Sequence, residues 1–140
     1  MLLRPHPEDP NSKGVCPYHD GCLEGLASGP AIGERIKGDP RKLKDDDPTF
    51  DIEACYLAQM CANLILTVSP RRIILGGGVM KRKILFHKVR SETMRLLNGY
   101  VRHGDILERI NEYIVPPRLF PVSGLIGAYL LGLRAYEGKL

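Results

Sequence analysis

The chain has 140 residues, of which 44% are hydrophobic, and this suits one domain of average size with a single core. Its net charge of +4 comes from scattered lysines and arginines, and the densest basic run is followed at once by three aspartates. Because no aromatic residues alternate with basic ones, as binding of single-stranded nucleic acid requires, we expect no nucleic-acid partner.

The first ten residues, "MLLRPHPEDP", lack the apolar segment of a secretion signal. No run reaches the roughly 20 apolar residues of a membrane span. We therefore expect a cytoplasmic protein that does not contact a membrane. In that setting Cys55 and Cys61, which fall in an apolar helical pattern, behave as small buried hydrophobes.

Residues 1–22 are rich in proline and glycine and are predicted to form a loop that ends in a metal knuckle. Cys16, His19 and Cys22 are spaced three residues apart, and thiolates with an imidazole favour Zn²⁺ over harder ions. A structural zinc wants four ligands, and His6 is the other candidate nearby. The alternatives are coincidental spacing, a disulfide between the two cysteines, and a merely solvated His6.

The next elements are predicted to be helical. A helix from Cys22 to about Lys37 is interrupted at Gly29-Pro30, and residues 38–48 read as a charged linker. Glu24, near the start of the first helix, is explained by the helix dipole alone. A long amphipathic helix follows, capped by Thr49 or Asp51 and ended by Ser69-Pro70.

The second half alternates strands and helices. "RIIL" at 72–75 predicts a buried strand that stops at three glycines, and a helix from about Arg82 to Leu97 is closed by Asn98-Gly99. Residues 113–115 predict a second strand, and Pro121 fits the first turn of a last helix. Strand, glycines and helix in this order can bring backbone N–H groups close to a phosphate or purine, or can be only a tight turn.

Four stretches carry a resemblance to a known family: "GVCPYHDGCLEGLASGPAI", "FDIEACYLAQMCANLIL", "SPRRIILGGGVM", and "YIVPP" followed by a helix rich in glycine and alanine. In this order they closely resemble the C-terminal half of bacterial ROK-family fructokinases, over nearly the whole chain. The Cys-Pro-Tyr-His form of the knuckle resembles the fructokinase branch. The resemblance implies a helix-rich α/β chain that is the C-terminal lobe of an actin-like, ribonuclease-H-like ATPase fold and an incomplete domain. We divide it into a knuckle segment with its helix (1–37), a linker (38–48) and nucleotide-lobe elements (49–140), all within one structural domain.

The resemblance also implies roles for individual residues. Cys16, His19 and Cys22 match zinc ligands, with His6 as a substitute for a family histidine that would fall before Met1. Glu24 matches a carboxylate that hydrogen-bonds sugar hydroxyls. The positions that match residues around the nucleotide are Ala27 through Pro30, Gly76, Gly77, Gly78, Val79 and Met80.

The family's catalytic Asp and its phosphate loops have no match in this chain, and the residues 121–124 differ from the family pattern before the last helix. The resemblance implies an ATP- and Mg²⁺-dependent kinase of the 6-hydroxyl of D-fructose, and we expect this chain to be inactive without the N-terminal lobe as its partner. Two alternatives are a sugar-sensing regulator domain and a zinc-stabilised remnant. Homodimer formation is left open.

Overall fold

The computed structural model describes residues 1–119 and 121–139. Helices alternate with two short strands and two 3-10 turns. The helices are α1 (Leu23–Leu26), α2 (Gly29–Ile36), α3 (Thr49–Val68), α4 (Ile84–Leu97), α5 (Gly104–Leu107), α6 (Ile110–Tyr113) and α7 (Ser123–Tyr136). The strands are β1 (Ile73–Ile74) and β2 (Ile114–Val115), and the 3-10 turns are Pro40–Lys42 and Val79–Lys81. No described helix combines the length and the apolar character needed to cross a bilayer.

The core lies between α3, α4 and the strand pair. Leu57, Cys61 and Ile65 repeat at helical spacing on α3 and are buried, as their pattern predicts. They belong to the same cluster as Leu85 and Val89 of α4, neither of which exposes any surface. The long helix predicted from the sequence is therefore confirmed, and it forms one side of the core.

The two predicted strands pair with each other in parallel. Ile73 lies opposite Ile114, and Ile74 lies opposite Val115. The crossover between them contains α4 and two short helices, α5 and α6, that the sequence pattern did not predict. The pairing continues past β1 to Leu75, whose N–H donates to the Val115 carbonyl at 2.9 Å, and it places the first of the three glycines beside Pro117, after β2.

Helix ends differ from the predictions in three places. Neither Thr49 nor Asp51 caps α3; the carboxylate of Asp47 accepts a hydrogen bond from the Thr49 backbone N–H at 2.9 Å. The predicted interruption of the helix from 22 to 37 falls at Ala27-Ser28 rather than at Gly29-Pro30, because the Ser28 hydroxyl caps a new start at Gly29. Helix α4 begins at Ile84 rather than Arg82, because residues 79–81 form a 3-10 turn.

The charged segment 38–48 is held against the rest of the chain. The guanidinium of Arg82 donates hydrogen bonds to the backbone carbonyls of Pro40 and Arg41 and pairs with Asp45 at 3.0 Å. The same guanidinium lies over the ring of Phe50, 5.6 Å from its centroid. Arg82 thus fixes this segment beside the start of α3 and the turn after the glycines.

Helix α7 buries none of its side chains in the described part of the chain. Six of its large apolar side chains are between 39% and 90% exposed: Leu125, Tyr129, Leu130, Leu131, Leu133 and Tyr136. A helix with this composition is normally buried, so α7 presents an apolar surface that no described residue covers.

A buried ionic cluster joins four segments of the N-terminal half. The guanidinium of Arg35, on α2, donates to Asp9 Oδ2 at 3.0 Å, to Glu53 Oε2 at 2.9 Å and to the Leu26 carbonyl. The Tyr56 hydroxyl donates to the same Asp9 oxygen at 2.7 Å. The side chains of all three charged residues are nearly inaccessible to solvent.

The two carboxylates in the cluster respond differently to their burial. Burial raises the pKa of Glu53 to about 7, because the charge and hydrogen bond of Arg35 offset only part of the effect of burial and the charge of Asp9 adds to it. Glu53 Oε1 has no hydrogen-bond partner among the described residues. Burial also opposes ionisation of Asp9, but hydrogen bonds from the Asn11 backbone, Tyr56 and Arg35 lower its pKa below the usual value. Asp9 therefore stays ionised while Glu53 titrates near neutrality.

We predict that this difference makes stability depend on pH. Between pH 4.5 and about 7 the folded chain keeps a proton on Glu53 that the unfolded chain releases, so the free energy of unfolding falls as pH rises through this window. The loss has a ceiling of roughly 3 kcal/mol. Urea unfolding across this range measures the free energy of unfolding of the parent and of Glu53→Gln. The free energy should fall less steeply with pH in Glu53→Gln than in the parent. Glu34→Gln, at an exposed position on α2, is the control; an equal slope in the Glu53 variant and the parent would contradict the prediction.

Candidate functional site

The knuckle is a short, tightly closed loop. Leu2 pairs with Cys22 in an antiparallel bridge, and the Leu3 and Leu23 backbone N–H groups donate to the carbonyls of Gly21 and Met1, each at 2.9 Å. These bonds hold the start of the chain against the start of α1. Cys22 is the residue that caps α1, so the last knuckle position and the first helical turn are a single unit.

The three predicted ligands lie together. One ligand atom from each of Cys16, His19 and Cys22 lies within 4.8 Å of the other two. The Cys16 sulfur is 3.6 Å from His19 Nδ1, and Cys22 Sγ accepts a hydrogen bond from the Gly25 backbone N–H at 3.3 Å. Hydrogen bonds from the Tyr18 backbone and then from His19 lower the pKa of the Cys16 thiol to about 7. The cluster has the donor set that suits zinc.

Two glycines allow the knuckle to close, and the sequence analysis did not single them out. Gly14 has φ of +79°, and a Cβ there would lie 2.6 Å from the Gly25 carbonyl oxygen. A Cβ on Gly25 would lie 2.8 Å from the Cys16 Cβ. Both positions must lack a side chain, because the loop and the first turn of α1 touch there.

His6 is not part of the cluster. The Nδ1 of its side chain accepts a hydrogen bond from the Glu8 backbone N–H at 3.2 Å. The backbone N–H of His6 donates to the Tyr56 hydroxyl at 3.0 Å. The side chain lines a separate groove with Cys55 and His87. The structure thus brings together three of the four expected ligands and leaves His6 elsewhere.

Glu24 lies in the first turn of α1, two residues after Cys22. Its side chain is exposed and makes no hydrogen bond or ion pair among the described residues. The helix dipole favours a carboxylate in the first helical turn, and this is one explanation of Glu24. A role in binding is the other. Its position is fixed by the knuckle that precedes it.

A cleft of about 530 Å³ opens between the start of α2, the start of α3 and the turn after the glycines. Its volume is in the range of small-molecule sites. Apolar and basic side chains and glycine backbone line it: Gly29, Ile32, Asp39, Pro40, Arg41, Phe50, Gly78, Val79, Lys81 and Arg82. Arg41 is paired with Asp39 at 3.0 Å, whereas Lys81 makes no ion pair with any described residue.

The predicted nucleotide residues divide between this cleft and its surroundings. Gly78 and Val79 line the cleft. Gly77 precedes them in the left-handed region, with φ of +88°, so the turn also requires a glycine for conformational reasons. A Cβ on Gly76 would lie 2.9 Å from the Pro117 ring, and Met80 is buried in the core.

On the α2 side the lining residues are Gly29 and Ile32, while the predicted Ala27 packs against the core and Pro30 is exposed outside the cleft. Sequence reasoning also missed Phe50 and Arg41, which come from the start of α3 and from the segment that was read as a linker. The basic run that follows the glycines, "KRK" at 81–83, was a local signal for the charge at this cleft.

Comparisons with known proteins identify relatives of this chain. The model of the ROK family matches residues 4–135. The chain is 40% identical over 139 residues to a putative fructokinase of Bacillus subtilis (strain 168), covering 99% of this chain and 46% of that protein. It is 43% identical over 137 residues to a fructokinase of Pediococcus pentosaceus, again covering 46% of it. The chain thus spans about half the length of the curated relatives it matches.

A solved structure shows the same fold. The ROK hexokinase of Thermus thermophilus superposes with a TM-score of 0.65 at 23% identity, over 93% of this chain and 44% of the hexokinase chain. The expected relationship to part of an actin-like kinase fold is confirmed, for a helix-rich chain with one parallel strand pair. With the family model matching almost the whole sequence, the chain belongs to the ROK family.

Proposed function

We propose that this chain is the C-terminal part of an ATP-dependent fructokinase and that it needs the remaining part of the protein to phosphorylate D-fructose at its 6-hydroxyl. One observation carries the proposal: the start of α2 and the turn after the glycines line one cleft, and both were expected to border the nucleotide. Identity of 40% and 43% to proteins called fructokinases supports the choice of sugar.

The cleft suits an adenine nucleotide. Pro40 and Val79, which are partly exposed in the cleft, offer an apolar surface for a base, and the backbone at Gly78 can be approached closely because no side chain covers it. Lys81, which makes no ion pair with a described residue, places positive charge at the same cleft, and this favours a phosphate-bearing ligand. ATP with Mg²⁺ would bind here with its phosphates directed toward the part of the protein that this chain does not contain.

Glu24 is proposed to hydrogen-bond sugar hydroxyls. Its carboxylate is exposed and unengaged by described residues, and the knuckle fixes the helical turn that carries it. Paired hydrogen bonds discriminate between polyols because a mismatched isomer leaves polar groups without partners. A role of this kind positions the sugar and transfers no proton.

Zinc is proposed as a structural ion at Cys16, His19 and Cys22. The spacing of their ligand atoms fits the metal, which would close the knuckle and hold α1 in place. Structural zinc takes four ligands. The fourth would come from a residue other than these three and other than His6, because His6 lies apart from the cluster. The ion supplies folding free energy and takes no part in the transfer.

Phosphoryl transfer requires a partner for this chain. The sugar hydroxyl oxygen attacks the γ-phosphorus, the bond to the ADP oxygen breaks, and a base accepts the hydroxyl proton. The chain offers no match for the family's Asp base, and its relatives are about twice its length. The apolar surface of α7 is proposed to pack against that remaining part, because an exposed patch of this size normally marks an interface.

Metal content tests the knuckle. We predict about one zinc per chain in protein purified without chelator, as a single structural site requires. Elemental analysis should show loss of zinc in Cys16→Ser/Cys22→Ser, and hydrogen exchange in residues 1–37 should become faster. Cys55→Ser, at a half-buried thiol outside the cluster, and His6→Ala should both retain zinc. Full retention of zinc in the double variant would contradict the site.

A coupled kinase assay tests the function. The chain alone should show no fructose phosphorylation, and turnover should appear when it is combined with the part of the Pediococcus pentosaceus relative that it does not match. In that pair Glu24→Gln should lower kcat/KM for fructose by about 10- to 100-fold, the loss expected for a hydrogen bond to a charged group.

Glu34→Gln, at an exposed position on the next helix, is the matched control and should keep parental kinetics. Turnover from the chain alone would contradict the need for a partner. Fructose binding by the reunited pair without any turnover would favour the sugar-sensing alternative, and neither binding nor turnover would favour the zinc-stabilised remnant.

A further inference from the structure

A second cleft, of about 610 Å³, lies at the opposite end of β1 from the glycine turn. The residues that lead into the strand, Ser69 through Arg72, form one side of it, and the loop before and at the start of α5 forms the other. It shares no lining residue with the proposed nucleotide cleft. Its volume is that of a small-molecule site, and the proposed function makes no use of it.

Positive charge at this cleft is not neutralised from within the described chain. Arg71 and Arg72 are exposed, and neither guanidinium makes a hydrogen bond or ion pair with a described residue. The carboxylate that lines the cleft, Asp105, is paired with Arg109. His103 Nδ1 accepts a hydrogen bond from the Asp105 backbone N–H at 3.3 Å, so a neutral imidazole carries its proton on Nε2 and can donate.

The end of α3 works against an anion here, because the last carbonyls of a helix carry partial negative charge. One of these carbonyls, that of Ile65, accepts from both the backbone N–H and the hydroxyl of Ser69, each at 3.2 Å. The carbonyl of Pro70, which follows the helix, accepts from the Tyr113 hydroxyl. Donors of the chain therefore offset part of the negative charge beside the cleft.

The cleft also has a small apolar wall, although most of its lining is polar. Ile106 and Tyr113 are 4% and 5% exposed, and Val101 lies beside them. A ligand in this cleft would thus meet polar and charged groups over most of the lining and a small apolar surface. Sulfate-sized ions alone would leave most of the volume unfilled.

We propose that this cleft binds a small phosphate-bearing metabolite, with Arg71 and Arg72 holding the phosphate, His103 donating to it, and the apolar wall contacting the organic part. A guanidinium matches phosphate oxygens in bidentate geometry, which a lysine does not. The site is separate from the nucleotide cleft at the other end of β1, and it does not depend on the proposed kinase function.

The test is an NMR titration of the 140-residue chain with pyrophosphate and, in a second arm, with glucose 6-phosphate, at ionic strength held constant with NaCl. We expect saturable shifts confined to the amides of residues 69–72 and 101–106 and to the His103 ring. Arg71→Gln/Arg72→Gln should weaken binding at least about tenfold. Tighter binding of the sugar phosphate than of pyrophosphate would support an organic phosphate as the ligand.

Arg118→Gln/Arg134→Gln removes the same charge from exposed positions outside the cleft and should leave affinity unchanged. The proposal is overturned by shifts that do not saturate, by equal losses in both double variants, or by shifts that map to Lys81 and Arg82 at the nucleotide cleft. Thermal melts of each variant confirm that the fold is retained, and ATP binding measured separately keeps this result distinct from a failure of the kinase proposal.

Discussion

The arrangement of the N-terminal half depends on the buried guanidinium of Arg35. It joins the first loop through Asp9, α1 through the Leu26 carbonyl and α3 through Glu53, while belonging to α2 itself. Removing one member of a buried ion pair typically costs about 3–5 kcal/mol, because the partner is left charged and without solvent. Here the loss would leave the Asp9 carboxylate buried without its ion-pair partner and would leave Glu53 protonated, so this single side chain fixes the positions of four segments.

The knuckle and the cleft are connected through these segments. Cys22 caps α1, the carbonyl of Leu26 at the end of α1 is held by Arg35, and the hydroxyl of Ser28 starts α2. The first residue of α2, Gly29, and its buried Ile32 then line the cleft. A structural metal at the knuckle would thus set the positions of Glu24 and of one wall of the cleft without touching the ligand.

Local signals in the sequence predicted local structure well. Ser69 and Asn98 end α3 and α4 in the left-handed conformation, with φ of +43° and +44°, at the positions where the sequence indicated helix ends. The three ligands of the knuckle could be found because they lie within seven residues of one another in the sequence. The need for a glycine at position 77 was likewise a local constraint.

Contacts between distant segments could not be predicted in this way. A charged residue in a helical pattern is read as exposed, so nothing indicated that Arg35 and Glu53 are buried against each other. Arg41 and Phe50 join the cleft only because Arg82 holds the segment 38–48 against the turn after the glycines. The misplacement of His6 has the same cause. Its proximity in the sequence suggested a metal ligand, but the hydrogen bond from its backbone to Tyr56 holds it away from the knuckle.

The assignment of the cleft to the nucleotide is tested most directly by the ATP affinity of the reunited kinase with a side chain introduced at Gly78. This residue lines the cleft with φ of −63°, and a Cβ added to it would meet no atom within 4 Å. Gly78→Val therefore fills the cleft without straining the backbone, unlike a change at Gly77. Gly104→Val, at an equally open position outside the cleft, is the control.

We predict that calorimetry shows at least about a tenfold loss of ATP affinity for Gly78→Val, with unchanged melting temperature and zinc content. Gly104→Val should bind ATP as the parent does. Parental ATP affinity in Gly78→Val would contradict the assignment of this cleft to the nucleotide.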